Sequence, residues 1–280
     1  MRVLVAGANG QLGSELKLVA SADYLFTDIA ELDIADEGAV VEFVEQNKID
    51  IIVNCAAYTN VDRAEEEPEV AKRVNTTAVA LLARVARRYN ARLIHISTDY
   101  VFGAEVFDAP IKVGQEPAPL GVYGRTKLLG ERLIEESGCD YVIIRTSWLY
   151  STYGKNFVKT ILRLAEEREE LRVVNDQIGS PTYAKDLASV IVQICEREGF
   201  EAGVYHYSNR GEISWYDFAQ AIVEIGGTKC RVIPCTTAEY GAKAPRPAYS
   251  VLDTSKICKA LGCDIPDWRD SLVECINKML

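Results

Sequence analysis

The stretch VLVAGANGQLG, residues 3–13, is an apolar run that ends in three glycines spaced three residues apart. The apolar run predicts a buried strand, and the residues after it have the pattern of a helix. Gly7 permits a tight turn, Gly10 lets the backbone approach a pyrophosphate, and Gly13 lets the helix lie close to the sheet. The first N–H groups of that helix are available to an anion. The stretch therefore predicts a dinucleotide-binding turn, whose cofactor-binding residues are Gly7, Gly10, Gln11, Leu12 and Gly13.

Strand-like and helix-like runs alternate through the first half of the chain. Short runs rich in Val and Ile occur at residues 2–6, 24–28, 50–54, 92–97 and 140–145, with helical patterns between them at about 11–20, 36–47, 68–89 and 123–137. Strands separated by helices of this length predict right-handed βαβ units and a parallel sheet covered on both faces. The predicted fold class is therefore α/β: a Rossmann-type doubly wound parallel sheet with a smaller C-terminal substrate-binding domain.

The alternation loosens after Ser147. Helical patterns continue at 156–169 and 184–198, short strand-like runs lie at 171–174 and 203–208, and Ser214 has the character of a helix N-cap. We predict an NAD(P)-binding domain over residues 1–150 and a substrate-binding region over 151–280. In an alternative division, the elements near 184–208 belong to the NAD(P)-binding domain although they follow residue 150.

Composition excludes several classes of protein. The 280 residues carry a net charge of −10 and are 48% hydrophobic, which is typical of a globular chain and argues against a nucleic-acid or anionic-membrane partner. No apolar run reaches the roughly 18 residues of a membrane-spanning helix. The eight cysteines are scattered and form no C-x-x-C pair, so we expect reduced thiols, a cytoplasmic protein and no metal site. Packing or hydrogen bonding is the expected role of both histidines, His95 and His206.

The predicted second strand ends in a carboxylate, Asp28, fifteen residues after Gly13. A carboxylate there can accept a hydrogen bond from an adenosine ribose 2′-hydroxyl and would repel a 2′-phosphate. No Arg or Lys follows at once, so NADH is expected in preference to NADPH; the alternative is a solvated Asp at a strand end. Further predicted cofactor contacts on the same rim are Asp33, Ile34, Ala56, Ala57 and Tyr58.

Tyr123 and Lys127 are one helical turn apart, which places a phenol and an ammonium on one helix face. Thr98 ends the predicted fourth strand, so its hydroxyl is expected at the same crevice. A free phenol has a pKa of about 10, and a cation about 4 Å away lowers it by roughly three units at an effective dielectric constant of 20. Tyr123 is therefore expected to be a proton donor near neutral pH, with Lys127 and Thr98 as its catalytic partners.

The glycine turn, the Ser-Thr strand end and the Tyr-x-x-x-Lys pair resemble the extended short-chain dehydrogenase/reductases. Further segments resemble one family within that superfamily, the dTDP-4-dehydrorhamnose reductases. These segments are residues 54–62, 97–102, 123–127, 145–150, 175–182 and 246–247. The resemblance covers nearly the whole chain, and the runs 145–150 and 175–182 are its most specific parts.

The resemblance implies hydride transfer from NADH or NADPH to C4 of dTDP-4-dehydro-L-rhamnose, giving dTDP-L-rhamnose. It implies that Tyr123 donates the proton, that Lys127 stabilises the phenolate and holds the nicotinamide ribose, and that Thr98 hydrogen-bonds the carbonyl. The implied substrate contacts are Thr98, Asp99, Trp148, Val61, Asn156 and Arg246. The family's metal-mediated dimer uses C-terminal acidic residues that residues 264–274 do not clearly match, which leaves magnesium and a homodimer open.

Two alternatives stay open at this point. One is a reductase or epimerase of another nucleotide sugar, because the same catalytic pair supports several reactions at C4. The other is a non-catalytic, dinucleotide-binding regulatory subunit similar to that of methionine adenosyltransferase. The intact set of Thr98, Tyr123 and Lys127 favours an enzyme.

Overall fold

The computed structural model describes residues 1–105 and 107–279. The strands are β1 (Val3–Ala6), β2 (Tyr24–Thr27), β3 (Ile51–Asn54), β4 (Arg92–Thr98), β5 (Asp140–Thr146), β6 (Leu149–Tyr150), β7 (Glu170–Val174), β8 (Ile178–Gly179), β9 (Thr182–Tyr183), β10 (Gly203–His206), β11 (Ile213–Ser214) and β12 (Arg231–Cys235). The α-helices are α1 (Gln11–Val19), α2 (Glu37–Asn47), α3 (Val61–Glu66), α4 (Pro68–Lys72), α5 (Ala78–Tyr89), α6 (Val122–Ser137), α7 (Phe157–Glu167), α8 (Ala184–Glu196), α9 (Trp215–Ile225), α10 (Thr237–Tyr240), α11 (Ser255–Leu261) and α12 (Trp268–Asn277). A π-helical segment, Arg73–Thr77, joins α4 to α5, and a 3₁₀ turn, Asp99–Val101, follows β4.

The central sheet has the strand order β2-β1-β3-β4-β5-β10, and each neighbouring pair is parallel. The predicted α/β class with a parallel sheet is confirmed. Because β2 lies on one side of β1 and β3 on the other, the chain changes direction at β1. In such sheets a crevice opens at this point, outside the carboxyl ends of the strands.

Alternate residues of each strand pack on opposite faces of the sheet. Val3 and Val5 face a core shared with α1 and α8, whereas Leu4 and Ala6 face a core shared with α2 and α5. All four side chains of β1 are buried, which explains why this strand is apolar throughout rather than alternating. Burying one Val or Leu side chain stabilises the fold by about 1.5–3 kcal/mol.

The elements after residue 150 contribute to two cores. β10 is the last strand of the central sheet and pairs with β5, and α8 packs beside α1. By contrast α7, α9 and α12 surround a separate apolar core, whose central side chains include Phe218 and Ile222. A reciprocal capping box between Ser214 and Asp217 starts α9, as the sequence predicts for Ser214. The division of the chain at residue 150 stays a prediction.

The helices and the cysteines bear on two predictions from composition. Among residues 1–105 and 107–279, no helix is both long and apolar enough to cross a lipid bilayer. Each of the eight cysteines has a free thiol.

The close contact between α1 and β1 gives a first prediction. A Cβ on Gly13 would lie 2.4 Å from the Gly7 carbonyl oxygen and 2.6 Å from Ala8 Cα, both backbone atoms. Gly13→Ala should lower the free energy of unfolding by about 2 kcal/mol, because this overlap outweighs the roughly 1 kcal/mol that Ala gains over Gly in a helix. Urea denaturation measures the change.

Gly38→Ala is the matched control. Gly38 lies on the exposed side of α2, where a Cβ would meet only the Asp36 carboxylate at 3.4 Å. This variant should be as stable as the wild type or up to about 1 kcal/mol more stable. Equal stability of the two variants would mean that α1 does not depend on close contact at Gly13.

Candidate active site

A cavity of about 580 Å³ opens at the carboxyl ends of β1, β3 and β4, between the central sheet and the elements that follow β5. It brings together side chains and backbone from widely separated parts of the sequence. The predicted site residues that line it are Gly7, Gly10, Gln11, Leu12, Gly13, Ala57, Val61, Thr98, Asp99, Tyr123, Lys127, Trp148 and Asn156. This is the crevice that the strand order creates.

The other predicted cofactor contacts lie outside the lining of this cavity. Asp28 stands beside the glycine turn, where its Oδ2 accepts the Asn9 N–H at 2.8 Å. Asp33 forms an ion pair with Arg73 at 3.0 Å, and Ile34 belongs to the apolar core beneath. The predicted contacts of Asp28, Asp33 and Ile34 with the adenosine half of the cofactor stay predictions.

Ala56 and Tyr58 follow β3 but are not part of the cavity lining. Ala56 packs against the core around α2 and α5, and its N–H donates to Asn54 Oδ1 at 3.1 Å. The phenol of Tyr58 donates to Glu67 at 3.0 Å. Of this run, Ala57 is the predicted residue that lines the cavity.

The glycine turn has the properties that a phosphate group requires. Gly7 has φ +79°, and a Cβ there would lie 2.6 Å from the Ala56 nitrogen, so only glycine fits. Gly10 is the N-cap of α1 and provides no side-chain acceptor for the first N–H groups of the helix. Because an uncapped helix N-terminus attracts anions, the turn fits a dinucleotide pyrophosphate.

The π-helical segment Arg73–Thr77 fixes α6, the helix that carries Tyr123 and Lys127. Asn75 Nδ2 donates to the Thr126 hydroxyl at 3.3 Å, and the Thr76 hydroxyl donates to the Thr126 carbonyl at 2.7 Å. Asn75 Oδ1 also accepts the Tyr58 N–H at 2.9 Å, which ties the loop after β3 to the same segment. The sequence predicts a continuous helix over residues 68–89, and the structure differs from this prediction by the widened π-helical turn.

The predicted catalytic side chains are all buried at the cavity. Tyr123 is 9% exposed, Thr98 5% and Lys127 1%. Burial raises the pKa of Tyr123 to about 12, which the nearby Thr98 hydroxyl opposes and the Asp99 charge reinforces. The expectation that Lys127 brings this pKa close to neutrality is therefore wrong for this arrangement.

The position of the Lys127 amine explains why the pKa of Tyr123 is higher than the sequence predicts. Its Nζ donates to the Ile96 carbonyl at 2.6 Å and lies 3.1 Å from His95 Nε2, so it is held towards β4. Burial lowers the pKa of Lys127 itself to about 8, although Glu131 and Cys55 oppose the shift. Desolvation of the phenol outweighs the attraction of the cation on which the expectation relied.

Asp99 is a buried carboxylate with one oxygen that has no partner. It is 2% exposed, its Oδ1 accepts the Thr98 hydroxyl at 3.1 Å, and its Oδ2 has no hydrogen-bond partner among the described residues. Burial raises the pKa of Asp99 to about 6, with the nearby Ser250 and Thr98 hydroxyls acting in the opposite direction. An unpaired buried acceptor beside a cavity fits a ligand hydroxyl.

Two stacked indoles form the apolar wall of the cavity. The rings of Trp148 and Trp215 are 3.7 Å apart and nearly parallel, and Phe157 packs against Trp215. Trp148 has φ +47°, a left-handed conformation that is uncommon for a non-glycine residue and occurs preferentially at functional sites. Sequence reasoning missed Trp215, although its place directly after the predicted N-cap Ser214 located the helix that carries it.

A second hollow of about 570 Å³ is also lined by Trp215. It contains the predicted substrate residue Arg246, which is not part of the first cavity. The Arg246 guanidinium forms an ion pair with Asp62 at 2.8 Å and donates to the Ala244 carbonyl at 3.0 Å. Gln177 and Tyr240 also line this hollow.

The loop between β6 and α7 closes the cavity above the glycine turn. Asn156 is the N-cap of α7, and its Nδ2 donates to Gln11 Oε1 at 2.9 Å and to the Ser151 carbonyl at 2.7 Å. Asn156 therefore joins the loop to the turn. The exposed Lys155 beside it lines the cavity and was not predicted as a site residue.

Beneath the cavity lies a buried ion pair. Arg145 Nη2 donates to Glu131 Oε2 at 2.6 Å, and the Ser97 hydroxyl donates to Glu131 Oε1. Within residues 1–105 and 107–279, no cluster of three or more His, Cys, Asp or Glu side chains is placed to hold a metal ion.

Residues 1–280 match the family described as RmlD substrate binding domain. This chain belongs to that family. The resemblance predicted from the motifs is therefore confirmed, and it extends over the whole sequence.

Curated relatives cover the chain almost completely. The spore coat polysaccharide biosynthesis protein SpsK of Bacillus subtilis is 43% identical, over 99% of this chain and 97% of its own length. The dTDP-4-dehydrorhamnose reductase of Aggregatibacter actinomycetemcomitans is also 43% identical, over 97% of each chain. The crystal structure of dTDP-4-dehydrorhamnose reductase from Bacillus anthracis in complex with NADP has a TM-score of 0.93 and 40% identity, over 99% of each chain.

The buried Asp99 carboxylate predicts a pH-dependent stability. Because burial raises its folded pKa from 3.8 to about 6, this group lowers the free energy of unfolding as the pH rises from about 4 to 6. Asp99→Asn should increase the free energy of unfolding by about 3 kcal/mol at pH 7.5, and by roughly half of that at pH 5. Urea denaturation at both pH values measures it.

Asp264→Asn is the control, since Asp264 is exposed. Its effect should stay within about 0.5 kcal/mol at both pH values. If the gain from Asp99→Asn were the same at pH 5 and pH 7.5, the raised pKa would be wrong.

Proposed function

We propose that this chain is an NAD(P)H-dependent dTDP-4-dehydrorhamnose reductase that converts dTDP-4-dehydro-L-rhamnose into dTDP-L-rhamnose. The observation that carries the proposal is the meeting of Thr98, Tyr123 and Lys127 in one buried cavity floored by the glycine turn. Two of the relatives are named as dTDP-4-dehydrorhamnose reductases, which supports reduction rather than epimerisation or a regulatory role.

The glycine turn and Lys127 are proposed to hold the dinucleotide. The first N–H groups of α1 would bind its pyrophosphate, and Lys127 would bind the nicotinamide ribose. When bound, the reduced nicotinamide supplies the hydride that the chain's own side chains cannot provide. Asp28 is proposed to accept the adenosine ribose 2′-hydroxyl, which favours NADH over NADPH.

Tyr123 is proposed to donate the proton to the C4 oxygen. With a pKa of about 12, its phenol stays protonated at neutral pH and gives up the proton only to a stronger base, such as a developing alkoxide. Thr98 would hydrogen-bond the same oxygen and stabilise its charge. Lys127, when protonated, would stabilise the phenolate that remains.

The walls of the cavity are proposed to recognise the sugar. The free Asp99 Oδ2 would accept a sugar hydroxyl, the face of Trp148 would pack on the ring, and Val61 and Asn156 would contact it from the rim. Arg246 would bind the diphosphate in the second hollow, after exchanging its bond with Asp62.

The proposal also includes the cellular location of the protein. A cytoplasmic location fits the eight free thiols and a nucleotide-sugar substrate. We assign no role to magnesium, and the homodimer stays a prediction.

Tyr123→Phe tests the proton donor. With NADH and dTDP-4-dehydro-L-rhamnose, the wild type should show loss of nicotinamide absorbance, and the variant should have kcat lowered at least about 100-fold because the proton donor is gone. The dissociation constant for NADH should change little.

Tyr89→Phe is the matched control, because Tyr89 ends α5 and its phenol donates to Glu45. It should retain the kcat of the wild type. Full turnover by Tyr123→Phe would rule out Tyr123 as the donor.

Asp28→Ala tests cofactor selectivity. Without this carboxylate the repulsion of a 2′-phosphate is lost, so the ratio of kcat/KM for NADH to that for NADPH should fall by about tenfold. Steady-state kinetics with both cofactors measures this ratio. Asp28→Ala also removes the hydrogen bond from the Asn9 N–H. If the only effect were a looser turn, binding of both cofactors would weaken and the ratio would not change.

The exposed Asp23 provides the control, and Asp23→Ala should keep the wild-type ratio. If Asp28→Ala keeps it as well, Asp28 does not select the cofactor.

A further inference from the structure

A row of buried polar groups lies behind Lys127, and the proposed reaction leaves it unassigned. His95 on β4 and Asn54 on β3 are both 0% exposed. His95 Nδ1 lies 3.1 Å from Asn54 Nδ2, and His95 Nε2 lies 3.1 Å from Lys127 Nζ. The imidazole therefore bridges an amide and an amine, and its two nitrogens have different partners.

The orientation of Asn54 decides which imidazole nitrogen carries the proton. Asn54 Oδ1 accepts the Ala56 N–H at 3.1 Å, and a backbone N–H can only donate. The amide NH₂ of Asn54 therefore faces His95, and because NH₂ offers only hydrogens, His95 Nδ1 must accept. A neutral imidazole with an accepting Nδ1 has its single proton on Nε2.

The His95 ring is neutral in this environment. Burial, reinforced by the charge of Lys127, keeps the pKa of His95 well below its usual value. Its Nε2–H thus points at Lys127 Nζ, which itself donates to the Ile96 carbonyl at 2.6 Å. An amine has a lone pair that can accept from Nε2–H, whereas an ammonium has none. The contact therefore favours the amine form of Lys127.

Other titratable groups also act on Lys127. Glu131, one turn along α6, and Cys55, after β3, favour its protonation. The Glu131 charge is shared with buried Arg145, which weakens its pull. Tyr123 on α6 and Asp99 after β4 line the same cavity. Burial lowers the pKa of Lys127, the direction in which the His95 contact also acts, and outweighs Glu131 and Cys55.

We propose that His95 is a positioning residue: with Asn54 fixing its tautomer, it holds Lys127 Nζ against β4 and opposes protonation of that amine. Its catalytic consequence rests on the proposed function, in which protonated Lys127 stabilises the Tyr123 phenolate. His95 then lowers the pH at which Lys127 loses this role, without touching substrate or cofactor.

The tautomer can be measured directly on the wild-type protein without cofactor or substrate. The chain has two histidines, so a long-range ¹H–¹⁵N spectrum of ¹⁵N-histidine-labelled protein contains two rings. His206 is an internal reference, because its Nδ1 lies 3.0 Å from the Ile111 carbonyl and must donate. We expect one ring of each tautomer, with His95 protonated on Nε2 and not titrating between about pH 5.5 and 9. Two Nδ1–H rings, or a titrating His95, would overturn the proposal.

A matched pair of variants tests the effect on Lys127. The amide of His95→Gln reaches the position of Nε2 and can still donate to Lys127, whereas the amide of His95→Asn reaches only the position of Nδ1. Loss of the donor in His95→Asn should move the basic limb of the kcat/KM profile up by about one pH unit. His95→Gln should keep the basic limb of the wild type. Because this variant lacks one of the two histidine rings, the signals that disappear from its spectrum are those of His95.

A purely structural role gives a different result. It would lower the melting temperature of both variants and leave both pH profiles unchanged. A downward shift or no shift in His95→Asn would contradict the proposal. If the wild type failed to reduce the sugar, the proposed function would be wrong, while the tautomer measurement would still test His95 by itself.

Discussion

The parallel register of the central sheet is the constraint on which the site depends. Because β1, β3 and β4 run in the same direction, the glycine turn, the loop from Asn54 and the Thr98 strand end all reach one edge. The change of chain direction at β1 keeps that edge open between β1 and β3. The contact of Gly13 with Gly7 then brings the start of α1 close enough to this edge to form the cavity floor.

A buried ion pair lies next to Ser97, which lines the cavity, and stacked aromatic rings form one apolar wall of it. The Glu131–Arg145 pair is buried, and such pairs are costly unless every charge is bonded. Glu131 also accepts from Ser97, so the pair holds the end of β4 in place beside Thr98. On the apolar wall, Trp148 and Trp215 stack closely enough to exclude water from the space between them. Electrostatic interactions are stronger in such a site than in water.

Burial shifts the ionisation of the site residues in opposite directions. It raises the pKa of Tyr123 to about 12 and that of Asp99 to about 6, and it lowers that of Lys127 to about 8. Each shift favours the neutral form, as desolvation requires. The site therefore contains side chains that can gain or lose a proton when a ligand binds. The buried Asp99 carboxylate lowers the free energy of unfolding at neutral pH. Such perturbed groups concentrate at functional sites.

The sequence by itself determined the α/β class, the glycine turn, the family and the three side chains Thr98, Tyr123 and Lys127 that meet in one cavity, because these depend on local periodicity and on residue types at short spacing. It also predicted Asn156 and Trp148 as site residues, and both line the cavity, but it did not predict what they contact within the protein. Only the tertiary structure decided the widened turn at Asn75, the place of Trp215, the separation of Arg246 into a second hollow and the direction of the Tyr123 pKa. Those properties depend on burial and on neighbours more than 20 residues apart, such as His95 beside Lys127, and no local pattern encodes them.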